Sequence, residues 1–193
     1  MPEANEANSA EAIEALLHTG YQARREQRPA AAMQAFAQAA ELAEAIPAPH
    51  GTELTALAVT GLGQMERDQG RLDQALSHYQ QAAALFRATS NAARLAHTVR
   101  HVGDIYRHME QPTLAGPCYE EALALYRALP ETGPGELANA LRSWALHQEG
   151  RAAAAEVAAL WRQTRDLYSA AGIDAGVAEC DQHLAALAPD PAI

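Results

Sequence analysis

The chain has 193 residues, a formal net charge of −10 and a pI near 5.2, with 49% hydrophobic but only 5% aromatic residues. So acidic a chain lacks the general basic face that nucleic-acid binding needs, and no run approaches the ~18 consecutive apolar residues of a membrane span. Much of the apolar fraction is alanine while valine, isoleucine and threonine are scarce, so an all-α chain is expected and sheets are not.

Residues 1–8, MPEANEAN, are acidic and polar and are expected to be disordered. They carry neither a basic n-region nor an apolar h-region, so a cytoplasmic location is expected. A single domain over 9–188 then divides into helical hairpins. The first, about 9–46, breaks at Gln27-Arg28-Pro29. The second, 51–89, breaks at Gly70; the third, 91–129, at Gln111-Pro112; the fourth, 135–171, at Gly150. Proline at a first helical position and glycine just past a helix end are the usual punctuation. Gly150 arrives early, which shortens the first helix of the fourth hairpin. A ninth helix, about 174–187, follows Gly172 with Asp174 as its expected N-cap, and a tail occupies 189–193. Cys118 and Cys180 lie far apart inside helical patterns and read as buried free thiols.

The hairpins repeat. Gly63, Ala75, Tyr79, Ala82, Leu85 and Phe86 recur as Gly103, Ala115, Tyr119, Ala122, Leu125 and Tyr126, every pair forty positions apart. Gly20, Phe36, Ala39 and Leu42 fit the same register forty-three positions upstream of Gly63, Tyr79, Ala82 and Leu85. Trp161, Leu167 and Tyr168 fit it forty-two positions downstream of Tyr119, Leu125 and Tyr126. In its best copy the pattern is Val102-Gly103, Tyr106, Ala115, Tyr119 and Ala122, which resembles the tetratricopeptide repeat. The resemblance covers about residues 10–170. It is to the elongated form, with repeats of roughly 40–42 residues, similar to those of kinesin light chains and some bacterial regulators. Arg87 and Arg127 stand where the short form has its helix-ending proline.

The resemblance implies a right-handed α-solenoid of four hairpins closed by a capping helix, with the first helix of each hairpin lining a concave groove. Gly63, Gly103, Ala82 and Ala122 are then packing positions, and Tyr79, Tyr119 and Trp161 core. The groove-facing residues are expected to be Glu14, Leu17, Tyr21 and Arg24; Leu57, Thr60, Gln64 and Arg67; His97, Arg100, Asp104 and Arg107, with His101 and His108 at the margin; and Asn139, Arg142 and Leu146. All fourteen basic side chains are arginines, whose planar forks match carboxylates bidentately. An acidic protein or peptide segment is therefore the expected guest. The family's chaperone-binding members hold a C-terminal carboxylate with a lysine/asparagine clamp. Thr60, Gln64, His97 and His101 occupy those places here, so that clamp is not reproduced.

The segment HTVRHVGDIYRHME, residues 97–110, raises the question of sharper chemistry. His97, His101, Asp104 and His108 share one helical face, but they span about 16 Å along a straight helix and cannot meet on one ion. Arg100 and Arg107 repel a cation, so no metal is expected. No catalytic signature is present, no cofactor motif is seen, and the protein is not expected to be an enzyme. The leading expectation is a non-catalytic protein-interaction scaffold. Two others stay open: a regulatory sensor for a short peptide or small carboxylate, and a self-associating module such as a homodimer. Histidines near their ordinary pKa of about 6.5 would strengthen binding of an acidic guest as pH falls from about 7.5 to 6.

Overall fold

A computed structural model describes residues 2–188; the tail expected at 189–193 lies outside them. Alanine-rich segments separated by proline and glycine fold into α1 (Pro2–Arg25), α2 (Pro29–Ala43), α3 (His50–Asp68), α4 (Leu72–Ala88), α5 (Ala92–His108), α6 (Pro112–Ala128), α7 (Pro134–Gln148), α8 (Ala154–Ala170) and α9 (Asp174–Leu187). Among the described residues there is no strand. α1 begins at Pro2, ahead of the start at residue 9 that composition suggests. The remaining helices follow the breakers in the sequence to within a few residues, and α7, ended by Gly150, has 15 residues where α5 has 17.

Each helix packs on the next along the chain, and the first helices also touch one another at α1–α3 and α5–α7. This is an α-solenoid of four hairpins, with α9 laid on α8. The repeated aromatic residues explain how the hairpins close. Phe36 is fully buried, and a Cβ built on Gly20 or on Gly61 would stand 2.6 or 2.4 Å from its ring. The ring thus sits between two bare backbones. Tyr119 lies on Gly103 in the same manner, where a Cβ would come within 2.8 Å, and Tyr79 lies on Gly63 at 3.2 Å. The interval from glycine to aromatic is sixteen residues in each of these three hairpins. In the fourth, Ala145 and Trp161 hold the two places, both fully buried. Burying one such ring contributes roughly 1.5–3 kcal/mol.

The helix ends show a second repeat-wide rule. Gln27, Gly70, Glu110 and Gly150 occupy the turn inside each hairpin, and all four have positive φ, from 57° to 75°. Only glycine adopts that conformation without a clash between Cβ and the carbonyl. Glu110→Gly is therefore expected to raise the unfolding free energy by about 1 kcal/mol, measured by urea denaturation. An unchanged or lower stability would mean that the Glu110 side chain offsets its own strain.

Pro29, Pro112 and Pro134 take the first positions of α2, α6 and α7, where no N–H is missed. Asn91 caps α5, its Oδ1 accepting from the Arg94 N–H at 3.2 Å. At α9 the cap is Ile173 rather than the expected Asp174, which falls inside the first turn. Its carboxylate there still meets the positive end of the helix dipole. Cys180 is buried, and burial pushes its thiol up to about 11. Cys118 is only half-buried, less than the expectation for both thiols, and donates to the Leu114 carbonyl at 3.3 Å.

Candidate functional site

The polar face of α5 meets its neighbours through a dense set of charged groups. Val99, Val102 and Ile105 point into the core, which fixes the opposite face of the helix toward α3 and α7. On that face Arg100 donates to Asp104 at 3.0 Å, and Tyr119, from α6, donates to the other carboxylate oxygen at 3.1 Å. Ser143, from α7, is among the groups that hold the Asp104 carboxyl low. Arg67 reaches across from α3 and places Nη1 2.9 Å from His101 Nδ1. His101 packs against the Tyr79 ring at 5.3 Å and the His97 ring at 4.6 Å.

His101 is at the centre and is buried, 8% exposed, rather than at the groove margin as the helical wheel suggests. Its ring has too many donors around it. Arg100 Nη2 lies 2.9 Å from Nε2, Arg67 Nη1 lies 2.9 Å from Nδ1, and Asp104 Oδ2 lies 3.3 Å from Nδ1. A neutral imidazole has one N–H and one lone pair. With the proton on Nδ1, His101 donates to Asp104 and accepts from Arg100. Arg67 then finds no acceptor there. With the proton on Nε2, both the Arg100 and the Asp104 contacts turn repulsive. The first tautomer satisfies more of the cluster.

Burial holds His101 down to about 4 against the opposing hydrogen bond to Asp104, with Arg100 and Arg67 pushing the same way as burial. His97 falls to about 3, through burial and then through His101, Arg100, Arg94 and Arg67. Asp104 is buried, which alone would raise its carboxyl. The His101 hydrogen bond and the Arg100 guanidinium hold it well below the usual carboxylate range instead. Both histidines are therefore neutral between pH 6 and 7.5. The expected pH-dependent grip on an acidic guest does not come from them, because burial among arginines outweighs their intrinsic basicity.

Two other wall arginines are held by carboxylates that the sequence pattern did not single out. Arg24 makes a two-pronged contact to Asp68, at 2.6 and 3.3 Å, tying α1 to α3. Arg142 does the same to Glu179 of α9, at 2.6 and 2.5 Å. These partners lie 44 and 37 residues away, a spacing no repeat register announces. Among the remaining predicted residues, Thr60 is buried and its hydroxyl donates to the Ala56 carbonyl at 2.8 Å, leaving it no hydrogen to donate to an acidic guest. Tyr21 packs edge-on against Phe36 at 5.0 Å. Gln64 and Arg107 are half-buried, and His108 and Asn139 are exposed. Asn139 accepts from the Tyr168 hydroxyl at 2.9 Å. Among the described residues no three His, Cys, Asp or Glu side chains gather as metal ligands.

Residues 53–128, covering the second and third hairpins, match the family model of the tetratricopeptide repeat. Over these residues the chain carries tetratricopeptide repeats. Solved structures of low identity share the fold of the whole tetratricopeptide-repeat array. BtubC (BKLC) from P. vanneervenii superposes with a TM-score of 0.60 at 16% identity, covering 99% of this chain and 95% of that one. Nearly identical TPR-like repeats assigned to a kinesin light chain of Podosopora anserina give 0.55 at 14%, covering 93% and 95%. Among curated proteins none matches the chain in sequence. Tetratricopeptide repeats are in general protein-interaction scaffolds without catalytic chemistry of their own. Among the described residues no helix is long and apolar enough to cross a membrane.

Proposed function

We propose that this tetratricopeptide-repeat protein is a non-catalytic scaffold that holds an acidic segment of a partner protein along the wall formed by α1, α3, α5 and α7. The observation that carries this reading is the local charge. Arg24, Arg67, Arg100, Arg107 and Arg142 gather on these helices, and the carboxylates paired with them are Asp68, Asp104 and Glu179. Five cations against these three anions and the exposed Glu14 of α1 leave a net positive strip inside a chain of net charge −10. Partly desolvated guanidinium groups bind carboxylates more strongly than exposed ones do.

The test is affinity purification from the source organism with wild-type and Arg67→Ala/Arg107→Ala baits, followed by cross-link mapping. The expected result is a partner segment rich in Asp and Glu that cross-links to α3 and α5 and is lost from the variant bait. Partners retained equally by both baits would refute the wall as the binding surface.

One observation favours self-association as a second reading. An open groove of about 640 Å³, lined by Ala154, Ala155, Ala158, Leu184, Leu187 and Arg162, remains between α8 and α9 at the end of the array. Light scattering after size-exclusion would show a mass that doubles with concentration and returns to the monomer with Leu184→Glu.

A further inference from the structure

We propose that Arg67 is the anchor for a guest carboxylate and that it leaves His101 to take one. This rests on the acidic-partner reading above. Arg24, Arg100 and Arg142 each already own a carboxylate. Arg67 does not. The nearest carboxylate oxygen is Asp68 Oδ1, at 3.4 Å, and that atom also receives Arg24 Nη2 at 3.3 Å. The other prong points at His101 Nδ1, which in the favoured tautomer carries a hydrogen and cannot accept. A guanidinium with five N–H donors is therefore held by one long, shared contact and one opposed contact. Its side chain is 25% exposed, so a guest can reach it.

Two further features shape the guest. Gln64 lies one turn before Arg67, with Oε1 buried and unpartnered, an acceptor for a backbone N–H. Arg107 holds the place equivalent to Arg67 in the next repeat, and its Nε is buried without a partner. The guest that fits is an extended segment with two acidic side chains, one for Arg67 and one for Arg107. When its carboxylate takes Arg67, the His101 N–H bond to Asp104 is no longer opposed, and of the polar links between α3 and α5 the Asn91–Glu53 hydrogen bond remains. Binding and the α3–α5 seam are thereby linked.

The test uses the full chain and an acetylated, amidated probe peptide, Gly-Glu-Ser-Gly-Glu-Gly, beside its twin with both Glu replaced by Gln. Titration calorimetry is expected to give binding of the Glu peptide, about tenfold or more weaker binding of the Gln twin, and a similar loss with Arg67→Gln. Arg165→Gln, on α8, should change affinity less than about threefold. In the wild-type chain, the His101 imidazole ¹⁵N resonances should shift with the Glu peptide and not with the Gln twin. That readout needs no variant and decides the matter if Arg67→Gln fails to fold. If the Glu peptide binds wild type and Arg67→Gln alike, or leaves the His101 resonances unmoved, Arg67 is not the anchor, although an acidic guest still is. If the two peptides bind equally, or neither binds, the acidic-partner reading falls and takes this inference with it.

Discussion

Phe36→Ala is expected to lower the unfolding free energy by about 3–5 kcal/mol. The ring is fully buried, and its Cδ1–Cε1 bond lies against both Gly20 and Gly61, which have no side chain to relax into the space it would vacate. Gly61→Ala alone is expected to cost about 1–3 kcal/mol, because the new methyl would stand 2.4 Å from the same ring. The two changes should not add. In the Phe36→Ala background the Gly61 methyl meets a cavity rather than a ring, so its cost should vanish or turn into a small gain. Urea denaturation of the four chains measures this coupling directly. If Gly61→Ala costs the same in both backgrounds, the ring contact is not what requires glycine there, and the packing account of the repeat is wrong.

That account was almost wholly legible in the sequence, for a physical reason. Each hairpin here closes where a large ring meets a small residue, so Gly20/Phe36, Gly63/Tyr79, Gly103/Tyr119 and Ala145/Trp161 recur in register. Breakers such as Gly70 and Gly150 must recur with them. The wall is different. The positions of Arg24, Arg67, Arg100 and Arg142 on the first helices could be read from periodicity. Their partners Asp68 and Glu179 could not, because those contacts cross from one repeat to the next at distances that depend on how the hairpins stack. The helical wheel put His101 at the edge because it counts only angles around α5. Its burial comes from Arg67 and Tyr79, which belong to other helices. Asp174 shows the same limit on a small scale: a residue type that favours caps lost the cap to Ile173, and the boundary moved by one residue.

The stability of the chain is expected to fall steeply with acid, well before carboxylates as a class are protonated. His101 titrates near 4 and His97 near 3 in the folded state, against about 6.5 when unfolded. Below pH 6.5 the unfolded chain therefore binds more protons than the folded one, and acid favours unfolding. The stability is fully present above pH 6.5 and is lost as pH falls from there to the folded-state values, below which these groups add no further loss. At about 1.4 kcal/mol per pH unit, His101 alone contributes a loss of about 3 kcal/mol by pH 4, and His97 acts in the same direction. Asp104, also held low, adds its own loss only below the ordinary carboxylate range. The groups around the pair make the cause specific: Arg67 on α3, Tyr79 on α4, and Arg94, Arg100 and Asp104 on α5. Urea midpoints at pH 7.5, 6.0, 5.0 and 4.5 should begin to fall between the first two and fall more steeply through the rest. His101→Gln, which keeps a donor and an acceptor but no titration, should flatten the fall. A wild-type midpoint that stays constant from pH 6.5 to 4.5 would mean that His101 and His97 are not buried among these arginines, and the wall as drawn would not exist. In the window from pH 7.5 to 6 the pair stays neutral, so the affinity for the Glu peptide should stay level there as well. The histidines serve the wall as neutral spacers between guanidinium groups, and their basicity appears only when the fold is lost.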